Sequence, residues 1–342
     1  MSFIYKRAIP PLEEILRATS VSPELSAVKK KRDKLVADVI SGKSDKFLVI
    51  VGPCSADNED AVCDYVSRLA KAQDELSERL LIVPRVYTNK PRTTGEGYKG
   101  MLHQPNPEEA PNILEGIYSI RRTHLRVIAE TGLTAADEML YPDNYVYVED
   151  ILSYVAIGAR SVENQQHRLV CSGFSVPSGM KNPTSGDLSV MFNAIYAAQS
   201  SHTFIYYGHE VETDGNPLAH AIMRGSTNKH GESIPNYHYE DIVRAAELYE
   251  ARGLANPAII IDTNHANSGK NYLEQPRIAK EILHSRRYDA SVRAMVKGLL
   301  IESYIEEGAQ KVNGGVYGQS ITDGCLSWEQ TEKLLFQIAD GC

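Results

Sequence analysis

Four residues far apart in the chain, Cys54, His265, Glu302 and Asp323, supply a thiolate, an imidazole and two carboxylates. This mixture of borderline and hard donors suits one catalytic divalent transition metal, such as Mn, Fe, Co or Zn. A structural zinc would prefer Cys and His alone. A second set is cationic: Arg85, Lys90, Arg92, Arg160, Lys181 and Arg224. Arg grips phosphate or carboxylate through a planar fork, and Lys acts as a point charge. Together they suit a small, multiply anionic, phosphorylated substrate. Taken singly, each residue has a blander reading, the cysteine as core and the cations as solvated surface.

What joins the two sets is position. Leu48-Val-Ile-Val-Gly-Pro-Cys54, Leu81-Ile-Val-Pro-Arg85, Tyr154-Val-Ala-Ile-Gly-Ala-Arg160, Ala221-Ile-Met-Arg224, Ile259-Ile-Ile-Asp-Thr-Asn-His265 and Lys297-Gly-Leu-Leu-Ile-Glu302 are short apolar runs, each ending in a group that can do chemistry. Such runs suit parallel strands buried on both faces. With Thr134 to Leu140 as the third strand and Val176 to Asn182 as the fifth, eight strands alternate with helix-like stretches. Helices are expected over 57–73, 112–130, 188–199 and 235–252. The alternation predicts an α/β fold, a (β/α)8 TIM barrel, whose strand C-termini converge on one catalytic rim. Residues 202–216 read as a β-hairpin inserted before the sixth strand, turning at Gly208.

Residues 1–46 read as an N-terminal helical arm, and 47–342 as one catalytic barrel with no linker. Ser22-Pro23-Glu24 is a helix start, with a capping hydroxyl, a pre-set φ and an acid at the positive dipole end. Gly42 can end that helix. The arm lies outside the strand repeat, so it either caps the barrel or contacts another subunit.

Composition narrows the class. A net charge of −8 over 342 residues argues against nucleic acid as a partner, so any anion site must be built from locally gathered cations. The apolar fraction of 42% is that of an ordinary globular core, and no apolar run is long enough for a membrane partner. Met-Ser-Phe-Ile-Tyr-Lys-Arg lacks the plan of a signal peptide. Five cysteines without CxxC spacing fit a reducing compartment, and a cytoplasmic location is expected.

Other motifs carry less. Gly95-Glu-Gly97-Tyr-Lys-Gly100 spells a dinucleotide fingerprint but neither follows a strand nor opens a helix, so it is rejected. Glu138 sits at a strand end, where it could orient a water or a lysine, or form a structural ion pair. His167 reads as a supporting or core histidine. Trp328 and the nineteen tyrosines read as packing residues.

The runs Val51-Gly-Pro-Cys-Ser55, Arg85-Val-Tyr87, Lys90-Pro-Arg-Thr-Thr94, Gly158-Ala-Arg160, Lys181-Asn182, Met223-Arg-Gly225, Asp262-Thr-Asn-His265, Ile301-Glu-Ser303 and Ile321-Thr-Asp323 occur in that order. From about Lys46 onward the chain resembles the type I 3-deoxy-D-arabino-heptulosonate 7-phosphate (DAHP) synthases of the shikimate pathway. The resemblance implies a metal-dependent condensation of phosphoenolpyruvate with D-erythrose 4-phosphate. It implies Cys54, His265, Glu302 and Asp323 as metal ligands. Arg85, Lys90, Arg160, Lys181 and Arg224 would bind phosphoenolpyruvate, and Arg92 and Thr93 erythrose 4-phosphate. Lys181, Glu138 and His265 are the catalytic candidates, with Lys181 and Glu138 both open as the group that positions water.

The chain departs from the family pattern at Pro84, at Gly95-Glu-Gly-Tyr98 and at Ser161-Val162, without losing a charged group. The arm lacks an acidic pair that helps some relatives bind an inhibitor, and the hairpin carries Tyr206 where a small residue is usual. An aromatic amino-acid effector is therefore expected without its identity, as is a homo-oligomer, dimer or tetramer. Cys325, two residues after Asp323, could approach Cys54 closely enough for a disulfide on metal loss. Two other readings stand beside the first: a 3-deoxy-manno-octulosonate 8-phosphate synthase-like condensation, and a catalytically silent regulatory paralogue.

Overall fold

A computed structural model describes residues 2–92 and 94–342. Two helices precede the first strand: α1 (Leu12–Ala18) and α2 (Pro23–Ile40). Ser22 caps α2 by accepting from the Leu25 N–H, and Gly42, at φ 74°, turns the chain away after it. Then come β1 (Phe47–Gly52), α3 (Glu59–Leu76), β2 (Leu80–Pro84), α4 (Ile113–Thr131), β3 (Ala136–Glu138), β4 (Tyr154–Ile157), α5 (Gln165–Cys171), β5 (Ser178–Lys181) and α6 (Leu188–Gln199). The hairpin β6 (His202–Tyr206) and β7 (His209–Thr213) follows, and then β8 (His220–Met223), with a small ribbon of β9 (Ser226–Thr227) and β10 (Ser233–Ile234). The last part holds α7 (Tyr239–Arg252), β11 (Ile259–Asp262), α8 (Gln275–Tyr288), α9 (Ala290–Met295), β12 (Val296–Glu302), β13 (Glu306–Ala309), β14 (Gln319–Ser320) and α10 (Trp328–Gly341).

Eight parallel strands run in the order β2-β1-β12-β11-β8-β5-β4-β3. The two ends of this order, β2 and β3, meet through a parallel bridge between Arg85 and Ala136, which brings the sheet round into a barrel. Alternation along each strand then divides the core. Leu48, Ile50, Leu81, Val83, Ala156, Ile222, Ile260 and Leu300 share one interior cluster. Val49, Val51, Ile82, Val155, Ile157, Ile259, Ile261 and Ile301 pack outward into the helical layer. Val36, Val39 and Ile40 of α2 belong to the interior cluster, so α2 floors the barrel at the end remote from the catalytic rim. Gly52 is required at its position, because a Cβ there would lie 2.2 Å from the Arg85 carbonyl oxygen.

The elements differ from the sequence reading in detail. Residues 2–11 form no helix, although the whole arm was expected to be helical. The ladder of the third strand covers only Ala136–Glu138. The helix expected from Pro235 begins at Tyr239, because Asn236 is committed elsewhere: its Oδ1 accepts from Gly225 N and its N–H donates to Asn267 Oδ1. Helix α5 was not foreseen; seven residues give too short a periodicity, though Asn164 caps it. The hairpin turns through Tyr207 and Gly208, both left-handed, as the sequence predicts. Among the described residues no helix is long and apolar enough to cross a membrane.

Candidate active site

The register of the barrel builds the donor cluster. Gly52 of β1 pairs with Glu302 of β12, so Cys54, two residues on, hangs over the end of its neighbour strand. Asp323 arrives from the loop after β14. One ligand atom each from Cys54, Glu302 and Asp323 lies within 4.8 Å of the others, and Cys54 Sγ is 3.2 Å from Asp323 Oδ2. Glu302 is fixed by Asn264, whose Nδ2 donates to Oε2 at 2.5 Å, and by Gln275 on its backbone. Its Oε1 has no aligned hydrogen-bond donor although Arg85 Nη2 lies 3.0 Å away. This buried oxygen, charge-paired with Arg85 but accepting no hydrogen bond, keeps lone pairs free for a cation beside Cys54 and Asp323. The donor set therefore fits a divalent transition metal.

His265 stands beside this group rather than within it. Its Nε2 faces Glu302 Oε1 at 3.9 Å, and Nδ1 lies 2.7 Å from Asp262 Oδ2, off the axis of a hydrogen bond. That places Nε2 as the nitrogen available to a metal, with Asp262 behind the ring. The loop is held in a strained form, His265 at φ 52° and Lys270 at φ 64°. Asn267 pins it, donating to the carbonyls of Met223 and Asp262.

Lys90 bridges the donor cluster and the cationic set, its Nζ 2.6 Å from Cys54 Sγ and 2.8 Å from Asp323 Oδ2. Burial pushes the Cys54 thiol up to about 11, with Glu302 adding to the rise and Lys90 opposing it. Burial would also raise Asp323, but Lys90, Cys54 and His265 together outweigh it and hold that carboxyl well below the usual range. Burial would lower Lys90, yet Cys54 and Asp323 hold its ammonium above the ordinary value.

Arg85, Lys181 and Arg224 are buried at the ends of β2, β5 and β8. Arg85 lies 3.8 Å above the Tyr87 ring and donates to the Pro53 carbonyl. Lys181 pairs with Glu138 Oε2 at 3.2 Å, with Asp262 Oδ2 at 3.9 Å. Burial would raise the Glu138 carboxyl, but Lys181 and then Arg85 reverse the direction and keep it ionised. Gly158 leaves room for that carboxylate, since a Cβ there would lie 2.6 Å from Glu138 Oε1. Arg224 Nη1 is buried without a partner, and burial lowers its pKa. Arg160 is exposed at the rim, and Arg92 Nε donates to the Tyr98 carbonyl at 2.8 Å.

The donor cluster and the cationic set line one cavity of about 360 Å³. It brings together Cys54, Arg85, Lys90, Arg92, Glu138, Arg160, Lys181, Arg224, His265, Glu302 and Asp323. Thr93 lies outside the described residues. Seven cations and four carboxylates face the cavity, a local excess of positive charge in an acidic chain. His167 is absent from it; its Nε2 lies 3.0 Å from the Leu140 carbonyl.

Sequence reasoning missed Tyr87, counted among packing tyrosines but lying beneath Arg85. The signal was the spacing Arg85-Val-Tyr87, which puts both side chains on one face of an extended segment. Asp262 was also missed, although two polar residues separate it from His265 in a turn. Lys270, which adds the seventh cation, follows Gly269 in a loop and carries no signal of its own.

A sequence model of the DAHP synthetase I family matches residues 21–336. The chain is 35% identical to a phospho-2-dehydro-3-deoxyheptonate aldolase of Haemophilus influenzae, across 98% of this chain and 91% of that protein. It is 36% identical to the Phe-sensitive enzyme of that name from Escherichia coli, across 98% and 94%. Identity to the Tyr-sensitive Escherichia coli enzyme is 35%, across 95% and 91%. The solved phospho-2-dehydro-3-deoxyheptonate aldolase of Francisella tularensis superposes with a TM-score of 0.91 at 30% identity, covering 98% of this chain and 97% of that one.

Proposed function

The chain belongs to the DAHP synthetase I family, and from that membership we propose that it condenses phosphoenolpyruvate with D-erythrose 4-phosphate and water. The products are DAHP and inorganic phosphate, the entry to chorismate and the aromatic amino acids. The single observation that carries the reading is the meeting, in one cavity, of a Cys54–Glu302–Asp323 donor cluster with a wall of buried cations.

Arg85, Lys181 and Arg224, with Arg160 at the rim, neutralise the phosphate and carboxylate of phosphoenolpyruvate and fix which face of its double bond is presented. Lys90 joins them on phosphoenolpyruvate, and Arg92 and Thr93 bind the aldose phosphate. Cys54, Glu302 and Asp323, with His265 Nε2 beside them, would hold a divalent metal, which supplies Lewis-acid polarisation of the aldehyde. C3 of phosphoenolpyruvate bonds to the aldehyde carbon, whose oxygen takes up a proton, and positive charge develops at C2. Water adds at C2 and releases a proton. Glu138, kept ionised by Lys181, has the lone pairs to accept it. The phosphohemiketal then loses phosphate by cleavage of its C2–O bond, and the proton of the C2 hydroxyl leaves with the phosphate as the ketone forms.

The relatives named Tyr-sensitive and Phe-sensitive support an aromatic amino acid as effector. A homo-oligomer in the cytoplasm completes the reading. The test is phosphate release from purified enzyme loaded with a divalent metal, with each substrate omitted in turn. Release must require both phosphoenolpyruvate and erythrose 4-phosphate. Preference for arabinose 5-phosphate, or no turnover with any metal, overturns the assignment.

A further inference from the structure

The seam that closes the barrel is its shortest. Between β2 and β3 the backbone supplies the Arg85–Ala136 bridge, with Val86 N donating to the Ala136 carbonyl at 2.9 Å. Beyond that point the strands part. The Tyr87 carbonyl accepts from Ala56 N, and the Thr88 carbonyl accepts from Leu102 N. Thr88 N would have no backbone partner across the seam. Yet the residues that follow it are Asn89, Lys90, Pro91 and Arg92, all lining the cavity.

The Asp137 side chain takes over where the ladder stops. Its Oδ1 accepts from Thr88 N at 2.9 Å and from Glu138 N at 2.7 Å. Its Oδ2 accepts from the Thr88 hydroxyl at 2.5 Å and faces His124 Nε2 at 3.4 Å. A carboxylate only accepts, so the four contacts fit its two oxygens, and the histidine tautomer with hydrogen on Nε2 completes them. The position itself is unusual for a charge. Asp137 alternates with Ala136, which joins the barrel interior, and Glu138, which lines the cavity, so it points outward toward α4. There it shares a small cleft with Ile120, Leu152 and Val155, where an apolar side chain would be the default. A buried carboxylate among these residues is tolerated only when its bonds are well made.

We propose that Asp137 is a positioning residue for the condensation: one carboxylate, steadied by His124, sets the Thr88–Arg92 segment in register with Glu138. Asp137 touches no substrate in this scheme. It fixes the distance between the groups holding the aldose phosphate and the carboxylate that receives the proton from water. The inference rests on the reaction assigned above.

The test uses the full-length, metal-loaded enzyme and the variants Asp137→Ala, Asp137→Asn and Thr88→Val. Initial rates are taken with each substrate varied, per mole of folded protein by circular dichroism, beside thermal midpoints. Misplacement of a reacting group by a fraction of an ångström predicts that Asp137→Ala lowers kcat about tenfold and raises KM for erythrose 4-phosphate. Asn preserves the acceptor for both N–H groups and is expected to recover kcat to within about threefold of the parent. Thr88→Val keeps the N–H bond and the side-chain volume, so it reports even if the alanine variant fails to fold; about threefold is expected from kcat. A lowered thermal midpoint with both KM values and kcat unchanged would make Asp137 merely structural and overturn the proposal. So would an asparagine variant no better than alanine, or Thr88→Val at parental kcat. The parent enzyme in the same assay separates the two claims: an inactive parent overturns the reaction, whereas an active parent with unaltered variants overturns only the role of Asp137.

Discussion

Lys90 holds its ammonium 2.6 Å from the Cys54 sulfur and 2.8 Å from Asp323 Oδ2, and lines the cavity with the other cations. The cation therefore competes with a metal for the thiolate's charge rather than helping to bind one. Lys90→Met should keep metal at the parental stoichiometry and lose at least about 100-fold in turnover, the size of effect expected for a charge aimed at the reacting substrate. Cys54→Ala should do the reverse, losing the metal first. Metal analysis after dialysis, paired with initial rates, checks both. Metal loss in Lys90→Met would show that Lys90 belongs to the metal's shell.

Glu138 and Lys181 form a buried pair, Oε2 3.2 Å from Nζ, and the proposed reaction gives the proton from water to the carboxylate. Glu138→Gln keeps the volume and a hydrogen-bonding oxygen for Lys181 but removes that basicity. We expect kcat to fall by about 10² or more, within the range for general acid–base groups, with little change in KM for phosphoenolpyruvate. Single-turnover phosphate release measures this step directly. A parental rate in the glutamine variant would transfer the role to another group.

Much of this site could be read from the chain because a parallel barrel ties sequence to place. Cys54, Arg85, Arg224 and Glu302 each follow a buried apolar run, and such runs end on one rim. Asp323 had no such run; it entered the donor set by residue type and not by position. Tyr87 and Asp137 escaped for another reason. Both lie at strand ends, but an aromatic near a strand reads as packing, and an acid next to Glu138 reads as part of the same polar rim. Only the outward direction of Asp137, and the lack of a backbone partner for Thr88 N, distinguish it. The arm shows a similar limit: periodicity found α2, but that it floors the barrel follows from where Val36, Val39 and Ile40 pack.

That packing makes α2 part of the barrel's core. Ile40 is fully buried against interior strand residues. Ile40→Ala removes three carbons where the rigid barrel cannot collapse into the space, so a loss of about 2–5 kcal/mol is expected. Urea denaturation followed by circular dichroism measures it. A loss below about 1 kcal/mol would mean that α2 packs loosely and the floor adds little.

His220 gives the chain an acid-sensitive point outside the candidate active site. It is fully buried within the barrel; the Leu218 carbonyl accepts from Nδ1–H at 2.8 Å, so Nε2 must accept from the Tyr154 hydroxyl, also at 2.8 Å. Burial lowers its pKa from 6.5 to about 4, the Leu218 carbonyl opposing slightly. The folded state keeps this ring neutral where the unfolded chain would protonate it. Stability from this group is therefore fully present above pH 6.5 and declines as pH falls toward 4. At 1.36 kcal/mol per unit, the decline amounts to about 3 kcal/mol. His220→Gln retains one acceptor and one donor without the titration. Unfolding free energies at pH 7 and pH 4.5 should therefore fall less steeply in the variant than in the parent. Equal slopes would show that another buried group governs the acid response.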